Sequence, residues 1–491
     1  MTAPGKKAAV TEKAAVAKKA TVAKKAAVAK KAEIDGADLQ RFVLHSALLS
    51  LIDPARGEPT RTPPNENPDG DISGGQRLKQ NFLDSFALIC STSRSGAETA
   101  SAVCLEHAPA GTILRVARNR GLTPKDLTGL EKVLQVLQAV ARKGTYFIRN
   151  PLNVADAACD AEKSSTQAEP EILRLVVELD RDRILSMAEK VQKRGSQNLQ
   201  EAQSKLLAGQ VKPETRAKPG LRLWLESCPF TAVSLQILSH ETMAELIEWA
   251  SQARRLYSEE LQSLLGLSPT EKPPWLDGLH KIARYRFAIK SMVRLAAKQP
   301  EDLASIRIRE VKAPKSRPFF LSNNPFSLSD KKAPLLAAVE NLVGEDSGMT
   351  MERLEKRFSP QDPEVLLRKA CRLNLTLHAE MQLVGFYEDD PGSVPRMPFI
   401  GTSKKACFHC HEYLLRHPLR LQVSACHQKI YPSWMPPPYY PVPGRFKSTP
   451  FVELSKSIEQ LTKRELKTAL TTPRRPKNQD STAGPSLTMT T

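Results

Sequence analysis

The sequence lacks long apolar runs. Its best candidate, Phe42–Ile52, is interrupted by His45 and Ser46 and is much shorter than the roughly 18 residues that a membrane-spanning helix needs. The first residues also lack the apolar segment that directs secretion. We therefore expect a soluble protein that is not secreted, located in the nucleus or the cytoplasm, with no membrane contact.

Aromatic residues are few, at 5% of the 491 residues, and glycine (23) is rarer than proline (37). Hydrophobic residues (41%) and charged residues (25%) are nevertheless close to the average for globular proteins. This composition excludes a fibrous chain and a wholly disordered one. At roughly 100–200 residues per domain, the length predicts two or three domains.

Acidic residues are outnumbered, with 53 Asp and Glu against 72 Lys and Arg, which gives a net charge of +19. Such a surplus favours a polyanionic partner such as nucleic acid. Residues 1–32 carry nine Lys and one acid, Glu12, in a Lys/Ala repeat with a period near six. We predict that residues 1–36 form a disordered basic tail, and whether this tail targets the protein or binds phosphates stays open.

Disulfides are not expected, because a chain without a secretory segment stays in a reducing compartment. The cysteines and histidines are instead concentrated in one stretch. Four of the eight Cys and five of the nine His lie between Cys371 and His427. This clustering points to metal binding or catalysis.

Residues 37–300 are predicted to be mostly α-helical, with a linker or loop at residues 53–76 that is dense in Pro, Gly, Asn and Asp. Apolar stripes at helical spacing follow Pro124 and Pro170, and a third includes Met243 and Ala253. These stripes indicate a helical core and carry no recognisable chemistry. Docking of a protein partner is one role left open for this region, and the oligomeric state is unknown.

Residues 301–445 are predicted to form an α/β domain, because helical and alternating patterns interleave there. The alternation in Ile306–Val311 predicts a strand, with Pro318–Leu321 as its hairpin partner. Residues 446–491 are predicted to hold a short helix and a disordered basic tail. Other predicted elements are helices at Leu335–Leu342 and Val365–Cys371 and strands at Pro398–Gly401 and Leu419–Val423.

Two short motifs carry the chemistry, His378-Ala379-Glu380 and Cys407-Phe408-His409-Cys410. If each opens a helix, the spacing of Cys407 and Cys410 puts both sulfurs on one face, where the helix dipole favours thiolates that bind zinc. With His378 they make three ligands, and the open fourth position is where a catalytic zinc keeps its water. Glu380 would face the same pocket as a proton carrier.

His-x-Glu followed by Cys-x-x-Cys is the signature of zinc-dependent base deaminases. A different reading stays open. Cys426 or His427 could supply a fourth ligand and close a structural zinc site. The chain would then be a non-catalytic nucleic-acid-binding protein with a basic N-terminal tail.

Three longer stretches surround these motifs: Leu375-Thr-Leu-His378-Ala-Glu380-Met-Gln-Leu383, Phe399-Ile-Gly401-Thr-Ser403-Lys-Lys-Ala-Cys407-Phe-His-Cys410 and Ser424-Ala-Cys-His427-Gln-Lys-Ile-Tyr431-Pro-Ser-Trp434. Together they resemble the deaminase-like family that is present in many copies in fungal genomes, a branch of the cytidine-deaminase-like superfamily of nucleic acid and nucleotide deaminases. The resemblance implies an α/β fold whose C-terminal domain has three layers, with a mixed sheet of about five strands between helices.

The same resemblance implies zinc (Zn²⁺) at His378, Cys407 and Cys410 and a catalytic Glu380. The implied activity is hydrolysis of a C–N bond of a cyclic amidine, which removes the amino group of a cytosine-type or adenine-type base in nucleic acid or a nucleotide.

Several residues near the motifs have more than one interpretation. Ala406 stands where the superfamily usually has proline, and we expect a slightly looser helix start there. Tyr431 and Trp434 could stack on a base or pack the domain. Lys404 and Lys405 could contact phosphate or lie in a solvated turn.

Overall fold

The computed structural model describes residues 36–61, 74–149, 154–208, 220–230, 239–267, 273–321, 332–437 and 450–468, with the single residues Phe326 and Leu470. The predicted tail of residues 1–36, except for its last residue, lies outside them. The middle of the predicted linker and the C-terminal tail from residue 471 lie outside them as well.

Helices and strands are numbered here in chain order. The helices are α1 (Gly36–Ile52), α2 (Gly74–Ile89), α3 (Pro124–Arg149), α4 (Val154–Leu207), α5 (Leu221–Glu226), α6 (His240–Arg255), α7 (Ser258–Leu264), α8 (Pro274–Lys298), α9 (Pro300–Leu303), α10 (Pro334–Val343), α11 (Ser347–Phe358), α12 (Pro363–Cys371), α13 (Ala379–Asp389), α14 (Phe408–Arg416) and α15 (Pro450–Thr468). The strands are β1 (Thr60–Arg61), β2 (Ser101–Ala108), β3 (Gly111–Arg118), β4 (Arg307–Val311), β5 (Arg317–Phe319), β6 (Leu373–Leu375), β7 (Phe399–Thr402), β8 (Gln422–Val423) and β9 (Ala425–Cys426). None of the helices in the described part of the chain is long and apolar enough to cross a membrane.

The chain forms two compact units, each assembled from separate stretches. The first unit takes its described residues from 1–53, 318–374 and 436–474, and the second takes them from 54–317 and 375–435. Strands from both sides of residue 300 hydrogen-bond into one sheet of the second unit. The domain boundaries at residues 300 and 445 stay predictions.

The apolar run of the sequence forms the core helix of the first unit. The α1 residue Phe42 is fully buried, and its ring lies 5.2 Å from that of Phe451 on α15. The Thr462 hydroxyl of α15 donates to the carbonyl of His45 at 3.3 Å. Since this run is covered by protein, its hydrophobicity is explained by packing.

The second unit is built on a mixed five-stranded sheet in the order β4-β3-β2-β7-β8. Strand β2 is antiparallel to both β3 and β7, while the outer pairs β3–β4 and β7–β8 are parallel. The α/β class and the mixed sheet of about five strands are confirmed. The predicted strand at Ile306–Val311 is β4.

The predicted hairpin partner of β4 is wrong. Strand β4 pairs in parallel with β3, where Ile308 lies opposite Leu114, and β5 pairs with β6 instead. Alternation of apolar and charged residues identifies a strand but carries no information on its partner, and the true partner lies far earlier in the chain.

Most of the predicted helices are confirmed. Helix α3 begins at Pro124, α6 contains Met243 and Ala253, and α10 and α12 lie where the apolar patterns placed them. Pro170 does not open a helix, since it lies inside the long α4, whose backbone departs from helical geometry at Asp180. A proline inside a helix removes one hydrogen bond, and long helices tolerate this loss when the surrounding packing holds them.

Strands β2 and β3 were not predicted, because residues 37–300 were described as mostly helical. The first six residues of β2 are all buried, so both faces of the sheet are covered there. Val103 belongs to the apolar core that includes Phe86 of α2. On the opposite face the carboxylate of Glu106 accepts a hydrogen bond from the Tyr387 hydroxyl of α13 at 2.9 Å. The sheet therefore lies between α2 and α13, in three layers.

Helix α2 lies directly against β7. A Cβ added at Gly401 would lie 2.2 Å from the carbonyl carbon of Leu83, so only glycine fits at this point of contact. One residue on, the Thr402 amide donates to Oδ1 of Asp84 at 2.8 Å. Burial raises the pKa of the Asp84 carboxyl to about 7. These contacts fix the strand that leads into the cysteine motif.

We predict that Gly401→Ala lowers the free energy of unfolding by about 1–3 kcal/mol, because the methyl group overlaps the α2 backbone. Chemical denaturation of the full-length protein measures this change. Gly348→Ala is the control, since Gly348 is exposed on α11 with nothing within 4 Å of a Cβ. That variant is expected to be neutral or slightly stabilising. Equal stability of the two variants would contradict the close α2–β7 contact.

Candidate metal centre

His378 lies just before the first turn of α13 and is its N-terminal capping residue. The end of β3 holds this turn in place. The Ala379 amide donates to Oδ1 of Asn119 at 2.9 Å, and the side-chain amide of Gln382 donates to the carbonyl of Arg118 at 3.2 Å. The prediction that the His378 motif opens a helix is confirmed, and β3 determines where that helix starts.

Cys407 is the capping residue of α14 and follows β7 closely along the chain. Its sulfur accepts a hydrogen bond from the Cys410 amide at 3.4 Å, so the two cysteines share the first turn. The prediction that this motif also opens a helix is confirmed. The capping geometry puts both sulfurs on one side of the helix start.

The structure brings three predicted site residues together. Nδ1 of His378 lies 3.6 Å from Sγ of Cys407 and 3.4 Å from Sγ of Cys410. In a tetrahedral zinc site, Zn–S distances near 2.3 Å and Zn–N distances near 2.0 Å give an N···S separation of about 3.5 Å. The three atoms lie within 4.8 Å of one another and could hold a metal ion. In the described parts of the chain, no fourth His, Cys, Asp or Glu joins this group.

The ionisation of Cys407 and Cys410 bears on whether this group can bind a cation. Burial opposes ionisation of Cys407, but the hydrogen bond with Cys410 and the charge of His378 outweigh it and hold the pKa of the Cys407 thiol well below its usual range. Burial, together with the hydrogen bond to the Cys407 sulfur and its charge, raises the pKa of the Cys410 thiol well above its usual range. A bound divalent ion would favour the thiolate form of both residues.

Glu380 lies in the first turn of α13 and is partly buried. Burial raises the pKa of its carboxyl, while the charge of His378 opposes that rise. Its carboxylate is not a member of the three-residue group. The chain thus has an acid close to the group that is not needed as one of its ligands.

The two aromatic residues near the motif have different environments. Trp434 is fully buried, and its Nε1–H donates to Sγ of Cys410 at 3.3 Å. Tyr431 is 37% exposed, and its ring centre lies 6.1 Å from that of His378. Trp434 therefore packs and supports the sulfur, and Tyr431 is the aromatic that a substrate could touch. The sequence alone did not show which of these two aromatic residues packs the domain and which is open to a substrate.

Ala406 makes two backbone hydrogen bonds next to the cysteine motif. Its N–H donates to the carbonyl of Ala425 at 2.9 Å, and its own carbonyl accepts from the His427 amide at 3.0 Å. Proline has no N–H and could not make the first of these bonds. These bonds form a bridge between the cysteine motif and β9, and the looser helix start expected at Ala406 stays a prediction.

Comparison with known proteins bears on the same region. Residues 377–438 match the model of the OTT_1508-like deaminase family (OTT_1508_deam). This segment is therefore similar to a deaminase domain. The match includes all four predicted site residues and covers about an eighth of the chain. It is consistent with the cytidine-deaminase-like superfamily, and a fungal origin stays a prediction. No curated protein and no solved structure matches the chain.

The structure adds elements to the deaminase-like domain beyond the matched segment. Strands β2, β3 and β4 and helix α2 lie outside the match, yet they supply most of the sheet and one of its covering layers. These strands and this helix come from parts of the chain that are distant from the motifs, so the motifs alone did not reveal them.

We predict that Trp434→Phe weakens Zn²⁺ binding by about 10- to 100-fold, because it removes a hydrogen-bond donor to a ligand sulfur while keeping a buried ring. Competition with a chromophoric chelator measures the affinity. Trp275→Phe is the matched control, because Trp275 is buried on α8 and its Nε1 has no hydrogen-bond partner in the described residues. Unchanged affinity in Trp434→Phe would contradict the support assigned to the indole.

Replacement of Ala406 by the residue that the superfamily pattern expects should be harmful here. We predict that Ala406→Pro lowers the free energy of unfolding by about 1 kcal/mol or more, because the bond to Ala425 is lost and its carbonyl is left unpaired. Ala406→Gly keeps the N–H and is expected to cost less. Thermal unfolding compares the two, and a proline variant as stable as wild type would refute the role of this bond.

Proposed function

We propose that this protein is a zinc-dependent hydrolytic deaminase that removes the amino group of a cytosine-type or adenine-type base in nucleic acid or a nucleotide. The observation that supports it most strongly is the His378, Cys407 and Cys410 group, whose N···S separations fit a tetrahedral ion, with Glu380 beside it in a deaminase-like domain. Three protein ligands leave one tetrahedral position for a reactant.

His378 would hold the ion through Nδ1, and Cys407 and Cys410 would hold it through their sulfurs. The indole of Trp434 orients one sulfur, and the capping bond from the Cys410 amide orients the other. A zinc ion held there would supply a Lewis acid that makes water nucleophilic at neutral pH. The protein's part is to keep the three donors fixed before the substrate arrives.

Glu380 carries the proton. Its carboxylate takes a proton from the attacking water and passes it to the leaving amino nitrogen, which departs as ammonia. Two features support this role. Glu380 is in the same helix turn as His378, and it is not one of the three ligand residues.

Tyr431 forms an aromatic wall of the proposed pocket. Its partial exposure and its edge-on arrangement toward His378 leave a ring face for a base to stack on. The His427 ring lies against it with centres 5.6 Å apart, which restricts the orientation of the tyrosine. This contact would orient the base and would not select between cytosine and adenine.

The rival function, a non-catalytic nucleic-acid-binding protein with a structural zinc, needs a fourth protein ligand. The two residues considered for it, Cys426 and His427, accept hydrogen bonds from backbone amides of their own loop. Cys426 Sγ accepts from the Gln428 amide at 3.3 Å, and Nδ1 of His427 accepts from the Lys429 amide at 3.0 Å. Neither belongs to the group of three, so the enzymatic proposal is better supported.

The partners follow from the same proposal. The substrate is a nucleic acid or nucleotide, and the basic tail of residues 1–32 adds salt-sensitive affinity for phosphates. A nuclear or cytoplasmic location suits such a substrate. We also propose that a protein partner docks on the helical region between β3 and β4.

Glu380→Gln tests the mechanism. The variant should keep its zinc content and lose deamination by about 10²–10⁴-fold, because an amide cannot carry the proton. Cys407→Ala should lose both zinc and activity. Elemental analysis of the purified protein and ammonia release from nucleosides and single-stranded oligonucleotides provide the two readouts.

Glu459→Gln, an exposed site on α15, is the control and should behave as wild type. Deamination by Glu380→Gln at the wild-type rate would refute the proton-carrier role. Zinc in the protein without ammonia release from any tested base would favour the structural-zinc rival.

A further inference from the structure

Lys404 lies in the loop that connects β7 to α14, three residues before Cys407. Its side chain makes no hydrogen bond or ion pair with another residue in the described part of the chain. It is nevertheless close enough to His378 for its charge to oppose protonation of the imidazole. A cation that has no partner among the described residues therefore acts electrostatically on the candidate metal centre.

A second cationic group, the guanidinium of Arg183, lies near Lys404 at the loop between α2 and β2. A Cβ added at Gly96 would lie 3.6 Å from Nζ of Lys404 and 3.7 Å from Cζ of Arg183. Both charged groups thus face the same point of this loop. Nη1 of Arg183 donates to the carbonyl of Ser91, which holds the guanidinium in position.

Three further lysines act on Lys404. Burial, with smaller contributions from the charges of Arg183, Lys281, Lys190 and Lys429, lowers the pKa of the Lys404 ammonium to about 8. Like charges gathered around a partly buried amine repel one another unless an anion is present.

Nearby acids do not supply that anion. Asp180, the carboxyl that acts on Arg183, is fully buried, and burial raises its pKa well above the usual range and favours its neutral form. Glu189 is engaged by Arg94 at 2.6 Å, and Asp277 is engaged by Lys281 at 2.6 Å. The positive charge at Lys404 and Arg183 is left without an internal counterion among the described residues.

We propose that Lys404 and Arg183 form a phosphate-binding subsite of the candidate active site. This inference rests on the proposed deaminase function and narrows its substrate class to phosphorylated ones. The phosphate group of a nucleoside monophosphate, or a backbone phosphate of a single-stranded nucleic acid, supplies the missing negative charge. A phosphate is separated from its base by one ribose, so a base at the metal centre puts its phosphate in the adjoining loops.

Site-resolved acetylation of lysine amines in the full-length protein tests the subsite. The acetylation rate of Lys404, read by peptide mass spectrometry, is compared with and without CMP, AMP, cytidine, adenosine and a short single-stranded oligonucleotide that contains both bases. This local readout does not respond to binding by the N-terminal tail. Exposed Lys132 on α3 is the internal control.

Phosphate-bearing probes should slow acetylation of Lys404 severalfold, while the nucleosides and Lys132 show no change. Protection by CMP or AMP identifies a nucleotide substrate, and protection by the oligonucleotide alone identifies a polymer. If Lys404 reacts at the same rate with every probe, the subsite is refuted.

Variants extend the test to kinetics. Lys404→Gln should lower kcat/KM for the phosphorylated substrate severalfold more than that for the nucleoside, and Lys404→Arg should retain the preference. Protection of Lys404 without ammonia release from any base would leave the subsite standing and refute the deaminase proposal. Ammonia release with Lys404 unprotected would refute the subsite alone.

Discussion

The approach of one imidazole nitrogen to two sulfurs is the constraint on which the proposed chemistry depends. The three donors belong to the starts of two helices, and a shift of about 1 Å in either helix would take the group outside the range of a tetrahedral ion. A single helix turn cannot hold such a position by itself. The precision has to come from the elements that precede and flank the two helices.

Each helix start is held by a different part of the sheet. The end of β3 positions α13 through Asn119, whose carboxamide oxygen accepts the Ala379 amide. Strand β7 positions α14, and β7 is itself fixed from the other side by its contact with α2 at Gly401. The bridge from Ala406 to β9 adds a third restraint at the cysteine loop. The positions of His378, Cys407 and Cys410 therefore depend on β3, β7 and β9 and on the packing of α2 against β7.

Local patterns in the sequence were sufficient to predict the chemistry-bearing motifs, the helix starts at His378 and Cys407, and the α/β class. Those features depend on spacing within a few residues. The partner of β4, the strands β2 and β3, and the buried position of Trp434 depend on contacts between residues that are far apart in the chain. The pairing of Lys404 with Arg183 is of the same kind, since neither residue is distinctive in its own segment.

The connection between β3 and β4 has a consequence for how this chain can be made and divided. These neighbouring strands are separated by helices α3 to α9, so a ribosome releases the β2–β3 ribbon long before either of its flanking strands exists. Both edges of that ribbon stay open to other chains during this interval, a hazard for aggregation. A recombinant fragment that starts after residue 300 would lack the central strand β2 and its neighbour β3, even though it contained both the His378 and the Cys407 motifs.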